Sequence, residues 1–406
     1  MTVRRPALGA GTPLPGLHRP EQQQGLSRLP AAQQPPWANH PDLACIRAEL
    51  ADLPALVVPD EIRALRRALA RVESGSAFLL HVGECAETFA MADTDNIAAR
   101  LSLYEQMADW LADRTGRETV LVARMAGQHA KPRSEATEAL PDGIVLPVYR
   151  GDAVNGTQPT PLARRADPWR LLTAYDRSQD TLRQLQAQAG PGRRPVFVSH
   201  EALLRDYEEP FTRGGFLRYA ASGHLVWVGE RTRGPADWHV RWAASVANPI
   251  GVKLGPSVTT QEAVDLVRLL NPEQEQGRLN LIARMGAAVA ADRLTALSRA
   301  VAGTGSPLLW QCDPMHGNTR KSGDRKLRLL PDVRAEISAF VRTLTAAGCH
   351  PGGLHLEVTP DVVAECHEDL SSAPGSGPRP PCDPRLNPAQ ALAVVDHFAT
   401  ETNHHQ

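Results

Sequence analysis

The 406-residue chain has no run of about twenty consecutive apolar residues, so none of its helices is expected to span a bilayer. It also lacks a charge bias. Its 44 Lys and Arg against 45 Asp and Glu leave a formal net charge of −1, too little to draw nucleic acid or an anionic membrane through a global field. Those basic residues remain free to line a local anion pocket. Cysteine is scarce: Cys45, Cys85, Cys312, Cys349, Cys366 and Cys382 are too few for a disulfide scaffold. A reducing, cytoplasmic setting is expected, with one or two cysteines in metal or redox work. Arg4 and Arg5 are followed by no apolar stretch, so no secretory leader is expected. No Gly-rich nucleotide loop follows the first apolar strand signal, which argues against a dinucleotide-binding sheet.

The sequence does have a rhythm. Apolar runs at 77–82, 119–123, 196–200, 224–229, 251–255, 280–283, 307–310 and 353–356 read as eight strands. Helical periodicity separates them, near 95–113, 168–187, 201–217, 259–270, 290–301 and 331–347, with a short helix before 251 and a closing helix at 388–400. This alternation predicts a (β/α)8 barrel, and the polar residues closing nearly every strand favour it over an open sheet. The Pro-, Gly- and Gln-rich residues 1–36 are expected to form an extended or disordered arm, 37–75 a helical extension, and 76–406 the barrel. A loop rich in Ser, Gly and Pro is expected at 371–381.

Two sets of strand-end residues carry chemistry. Cys85, His316, Glu357 and Asp383 fall at or just after strand ends, and a barrel brings such ends into one ring. A thiolate, an imidazole and two carboxylates suit Mn²⁺, Co²⁺, Fe²⁺ or Zn²⁺ better than Mg²⁺. Each residue alone is better explained by core packing or turn capping, and spacing alone does not make these four a metal motif. Asp313 competes with His316 for a ligand's role within the same loop. The second set is cationic: Arg124, Lys131, Arg133, Arg231, Lys253 and Arg284. Lys253 lies between Val252 and Leu254, where an unpaired ammonium is costly, so an anionic partner is expected. Arg forks and a Lys point charge together suit phosphorylated substrates. Glu230 either pairs locally with Arg231 or orients a cation or a water.

Ten blocks carry a resemblance. They are Gly83-Glu-Cys-Ala-Glu87, Arg124-Met-Ala-Gly-Gln-His-Ala-Lys-Pro-Arg-Ser134, Tyr149-Arg-Gly-Asp152, Ser199-His-Glu-Ala202, Trp227-Val-Gly-Glu-Arg-Thr-Arg233, Asn248-Pro-Ile-Gly-Val-Lys-Leu-Gly-Pro256, Ala283-Arg-Met-Gly286, Cys312-Asp-Pro-Met-His-Gly-Asn-Thr319, His350-Pro-Gly-Gly-Leu-His-Leu-Glu357 and Cys382-Asp-Pro-Arg-Leu-Asn387. From about residue 37 onward the chain resembles the plant-like (type II) 3-deoxy-D-arabino-heptulosonate 7-phosphate (DAHP) synthases.

The resemblance implies a (β/α)8 barrel that condenses phosphoenolpyruvate with erythrose 4-phosphate. It implies Cys85, His316, Glu357 and Asp383 as ligands of a divalent metal, Mn²⁺ or Co²⁺ foremost, with Zn²⁺, Fe²⁺ or Cd²⁺ as alternatives. Arg124, Glu230, Lys253 and Arg284 would hold phosphoenolpyruvate, with Glu230, Lys253 and Arg124 closest to the chemistry. Lys131, Pro132, Arg133, Ser134 and Arg231 would hold erythrose 4-phosphate. Asp313 then supports His316 from behind. Glu84 stands where the family has Asp, and His129 where it has an aromatic. The stretch between Arg177 and Ser199 is too short for the helical pair through which many members bind aromatic amino acids. Insensitivity to those amino acids and a role in phenazine-type or other antibiotic pathways are therefore expected. A homodimer, a chorismate mutase partner and an oxidisable Cys85–Cys382 pair complete the expectations. An aminoDAHP synthase, or an inactive paralogue serving only as a binding partner, would share most of these blocks.

Overall fold

The computed structural model describes residues 25–140, 143–190, 192–215, 217–322, 325–371 and 382–405. Its centre is a closed barrel of β1 (Ala77–Gly83), β2 (Glu118–Arg124), β3 (Val196–Glu201), β4 (Leu225–Val228), β5 (Ile250–Leu254), β6 (Leu279–Ala283), β7 (Leu309–Cys312) and β8 (Gly353–Glu357). Neighbours around the ring run β1-β8-β7-β6-β5-β4-β3-β2, every pair parallel. Strands covered on both faces need apolar side chains at almost every position. That is why Ala77–Gly83 is buried throughout and reads as an unbroken apolar run.

The longer helices in chain order are α1 (Leu43–Asp52), α2 (Pro59–Glu73), α3 (Thr94–Thr115), α4 (Arg170–Gln188), α5 (Trp238–Ala244), α6 (Thr260–Leu270), α7 (Ala290–Ala302), α8 (Leu330–Ala346) and α9 (Pro388–His404). Their ends follow local chemistry. Thr259 and Glu262 form a capping box at α6, Asn387 and Gln390 another at α9, and Asp93 caps α3 through the Asn96 N–H. Among the described residues no helix is long and apolar enough to cross a membrane.

The extension serves the barrel at two places. α2 closes the N-terminal end: its Leu65, Ala68, Leu69 and Val72 pack with Leu79, Val120, Phe197, Leu225, Ile282 and Leu309. Each fully buried leucine there contributes ~2 kcal/mol. The contact is close enough to require glycine at Gly277, where a Cβ would sit 2.1 Å from the Arg66 carbonyl and φ is +66°. α1 packs beside the connection after β3, where Arg47 pairs with Asp206 at 2.5 Å and Glu209 at 2.8 Å. Residues 30–34 run to the site: Gln34 Nε2 donates to the Leu203 carbonyl at 2.8 Å, and Gln33 Oε1 accepts the Arg133 N–H at 2.9 Å.

Two expectations are corrected. The helix at 201–217 is absent. In its place are a four-residue helix, Arg205–Glu208, and a hairpin pairing Thr212–Arg213 with Tyr219–Ala220. Pro210 cannot continue a helix and Gly214 has φ +85°, so the chain turns back. The polar tip after β7 also does not run straight to α8. Thr319–Ser322 and Arg325–Leu329 form an antiparallel hairpin that pairs with Cys366–His367. A further hairpin, Thr137–Ala139 with Val145–Pro147, lies in the loop after β2. The expected arm over residues 1–24 and the loop from 372 to 381 lie outside the described residues.

Candidate functional site

The inside of the barrel changes character along its axis. Above the apolar floor lie His81, Ser199, Gln311 and His355, all fully buried. Above those, at the C-terminal strand ends, one cavity is lined by Cys85, Arg124, Lys131, Pro132, Arg133, Ser134, Glu230, Arg231, Lys253, Arg284, His316 and Asp383. These are all but one of the residues assigned from the sequence to the metal and substrate sites. The remaining one, Glu357 at the end of β8, is fully buried beside them and meets His316, Lys131 and Arg124. A parallel barrel accounts for this convergence, because all eight strands end on the same rim.

Cys85, Glu357 and Asp383 each present a donor atom, all within 4.8 Å of one another. His316 joins through Nε2, 3.0 Å from Glu357 Oε1. Its other nitrogen, Nδ1, lies 2.8 Å from Asp313 Oδ2, so the carboxylate behind it fixes the ring and leaves Nε2 facing the cluster. Asp313 thus backs His316 and does not itself face the other donors. The focus of the donors holds a cationic group: the Lys131 ammonium rests against Cys85 Sγ and Asp383 Oδ2 and lies 3.6 Å from Glu357 Oε1. The donor set therefore fits a borderline divalent ion.

The charges here are strongly coupled. Burial works against Glu357 and Asp383 as anions. Even so, His316, Lys131 and Arg328 hold Glu357, and Lys131, Arg328 and Lys326 hold Asp383, well below the usual carboxylate range. Burial likewise opposes the Lys131 charge, but Asp383, Cys85 and Glu357 raise its pKa well above the ordinary value. Cys85 and Cys382 share a hydrogen bond. Burial pushes the Cys85 thiol up, whereas the bond from Cys85, with Lys131 and Arg133 nearby, brings Cys382 down to about 7.

The cations form a second layer. Lys253 Nζ bonds Asp313 Oδ2 at 2.9 Å, which supplies the anionic partner that its apolar neighbours predicted. Burial draws its amine below the ordinary value, with Asp313 opposing. Arg124 lies 5.4 Å above the Trp227 ring and Lys253 6.0 Å, so one indole underlies both charges. Arg284 donates to the His316 carbonyl at 3.2 Å. Glu230 accepts the Gly255 N–H at 2.6 Å and meets Arg233 at 3.2 Å. Arg231 does not pair with Glu230; it reaches across to Ser134 Oγ at 2.6 Å, joining the β4 and β2 loops. Arg231 and Ser134 are exposed, at the mouth.

Sequence reasoning missed several participants. Glu201 lines the cavity, one of its oxygens has no partner, and burial pushes its carboxyl up despite Lys253, Lys131 and Arg124 nearby. Gly229 makes room for it: a Cβ there would lie 2.0 Å from Glu201 Oε1. Its signal was available, since Glu201 closes a strand as Glu230 does. Lys326, 2.7 Å from Asp383 Oδ1, and Arg328, 2.8 Å from Glu357 Oε2, come from the unrecognised hairpin and had no strand-end signal. Glu336 ties two loops together, accepting N–H bonds from Met285 and Gly286 and the Asn318 amide. Burial pushes its carboxyl up to about 8.

A model of the class-II DAHP synthetase family matches residues 21–196 and 190–399. The chain is 39% identical to phospho-2-dehydro-3-deoxyheptonate aldolase of Streptomyces coelicolor, over 90% of this chain and 94% of that protein. It is 40% identical to a probable phospho-2-dehydro-3-deoxyheptonate aldolase of Pseudomonas fluorescens, again over 90% of this chain and 94% of that protein. The solved phospho-2-dehydro-3-deoxyheptonate aldolase of Francisella tularensis superposes with a TM-score of 0.54 at 14% identity, covering 89% of this chain and 97% of that one, a likeness of fold alone. Sequence likeness of this extent, carried by both halves of the barrel, establishes that the chain belongs to the class-II DAHP synthetase family.

Proposed function

We propose that the protein is a DAHP synthase, joining phosphoenolpyruvate, D-erythrose 4-phosphate and water to give DAHP and inorganic phosphate, the first step of the shikimate pathway. The observation that carries this reading is the meeting of four donors, Cys85, His316, Glu357 and Asp383, with seven Lys and Arg side chains that line one cavity. Cys85, His316, Glu357 and Asp383 would hold the metal, Mn²⁺ or Co²⁺ foremost, and a bound ion of this kind supplies Lewis-acid polarisation of an aldehyde oxygen. Arg124, Lys253 and Arg284 hold the carboxylate and phosphate of phosphoenolpyruvate over Trp227. Lys131, Pro132, Arg133, Ser134 and Arg231 hold the phosphate of the sugar, Arg231 and Ser134 from the mouth and Lys131 from below, where its ammonium rests among the donors. The alkene carbon of phosphoenolpyruvate bonds to the aldehyde carbon. Water adds to the enol carbon, and phosphate leaves by C–O cleavage. Glu230 and Glu201 flank this region as carboxylates able to orient that water and offset the positive charge at the enol carbon. Fixing two anions in one geometry supplies a large part of the acceleration.

Only residues 189–195 connect α4 to β3, and the family match runs in two segments, 21–196 and 190–399, that meet there. Both observations support a form without the regulatory helical pair, suited to a specialised pathway. A homodimer and a chorismate mutase partner belong to the same reading. Protein supplied with Mn²⁺ or Co²⁺ should consume phosphoenolpyruvate only with the sugar phosphate present, stop on chelation and resume on metal addition. Submillimolar Trp plus Phe should leave the rate unchanged. No consumption with either metal would sink the reading, and a clear loss of rate with the amino acids would remove its regulatory part. Product identification with the amino sugar phosphate separates DAHP from aminoDAHP synthesis.

The Cys85–Cys382 contact supports a redox expectation. Treated with diamide while metal-free, the two thiols should give up two electrons and two protons to the reagent and form a crosslink. Peptide mapping that finds only other cysteine pairs, or none, would refute it.

A further inference from the structure

We propose that His355 and His81 are positioning residues for Arg124, acting through a one-way hydrogen-bond relay across the barrel interior. The inference rests on the reading that Arg124 holds phosphoenolpyruvate. Arg124 Nη1 lies 3.3 Å from His355 Nε2, and His355 Nδ1 lies 3.0 Å from His81 Nδ1. His81 Nε2 lies 2.7 Å from Ser199 Oγ, which donates at 3.1 Å to the carbonyl of Ala123. The path leaves β2 through the Arg124 side chain, crosses β8, β1 and β3, and returns to the β2 backbone one residue earlier. Arg124 is 2% exposed and the other three side chains are fully buried, so no solvent completes these bonds.

Only one arrangement of protons satisfies every link. A guanidinium donates and cannot accept, so His355 Nε2 must be bare and its proton must sit on Nδ1. That proton points at His81 Nδ1, which must therefore be bare. The His81 proton sits on Nε2 and goes to Ser199, whose own proton goes to a carbonyl that can only accept. The direction is thus fixed at both ends. Trp227 holds the rings in place, edge-on to His81 at 5.2 Å and to His355 at 5.4 Å.

The relay suits the task of Arg124. The other contacts of its guanidinium, to the Cys85 carbonyl and Glu357, are 3.5 Å long, and its Nε has no partner. The imidazole is its shortest anchor. An uncharged acceptor orients the fork without neutralising it, and the charge stays available for an anionic substrate.

Three variants and one spectrum test this. His355→Leu removes both links; the Michaelis constant for phosphoenolpyruvate should rise about tenfold, while that for the sugar phosphate stays within about twofold. His355→Gln offers an amide oxygen to Arg124 and an N–H to His81, and should restore the first constant to within about threefold of wild type. Ser199→Ala, at the far end, should raise it about threefold. In the wild type labelled with ¹⁵N-histidine, the resonance that vanishes in His355→Gln should show the Nδ1–H tautomer. An Nε2–H tautomer for His355, equal effects of Leu and Gln, or parallel rises in both constants would overturn the relay. If His355→Leu does not fold, Ser199→Ala and the spectrum still decide. A wild type that binds metal but consumes no phosphoenolpyruvate would overturn the function reading and with it the substrate role of Arg124. An active wild type with the wrong tautomer would overturn the relay alone.

Discussion

Glu357→Gln is expected to abolish metal binding, lower turnover by ~10³-fold or more and destabilise the fold, because one carboxylate serves all three. Its oxygens face Arg328 at 2.8 Å, His316 at 3.0 Å, Arg124 at 3.5 Å and Lys131 at 3.6 Å. Arg328 is fully buried, and its neutral contacts, the Pro384 carbonyl and Thr319 Oγ1, cannot balance its charge. Removing one partner of a buried pair takes away the contact that balances Arg328 most directly and leaves only the field of Asp383, at a cost of about 3 kcal/mol. Glutamine keeps the shape and loses only the charge, so packing is not the variable. Denaturant unfolding of the metal-free protein reads the stability term, and titration calorimetry with Mn²⁺ reads the metal term. Wild-type metal affinity in this variant would remove Glu357 from the ligand set, whatever happened to turnover.

Lys253→Met should act on the substrate and spare the fold. Methionine retains the unbranched stem among Val252, Leu254 and Trp227 and deletes the ammonium. The partner it leaves, Asp313, keeps the N–H groups of Met315 at 3.1 Å and His316 at 3.2 Å and the imidazole of His316 at 2.8 Å, so no bare carboxylate results. The stability loss should stay under about 2 kcal/mol. Loss of a charged donor aimed at the substrate anion should cost roughly 10²–10³ in kcat/KM for phosphoenolpyruvate. Steady-state kinetics with each substrate varied in turn separates this from a general defect. Unchanged kcat/KM for phosphoenolpyruvate would show that Lys253 serves Asp313 and not the substrate.

The sequence exposed different parts of this molecule unequally, for physical reasons. Barrel strands are buried on both faces, so their apolar runs stand out, and the change from Leu80 to Glu84 or from Leu356 to Glu357 marks the rim. The ring of strand ends then brings Cys85 and Asp383 together across nearly three hundred residues. Where the chain obeys neither period, reading failed. The 201–217 stretch is rich in helix formers, but Pro210 and the glycines at 214 and 215 turn it into a hairpin. Lys326 and Arg328 stand on a short ribbon whose alternation of Arg, Lys and Leu resembles surface sequence, and only the tertiary fold shows that it packs against Asp383 and Glu357. Glu201 closes β3 as Glu230 follows β4, and the same strand-end rule marks both. The fixed proton order between His81 and His355 depends on cross-strand register, with His81 facing His355, and no pattern along one strand reveals it.

The α2 seal has a consequence for traffic. With one end of the barrel closed by α2, the cavity among the described residues opens at the other, and on the proposed function both substrates and both products use it. Arg124 and Lys253, 2% and 6% exposed, lie deep in it, whereas Arg231 and Ser134 stand at its lip. A sugar phosphate seated at the lip obstructs the way to the floor. On the proposed assignment of the substrates, this difference in depth predicts a queue: the three-carbon substrate enters first and the sugar closes the door behind it.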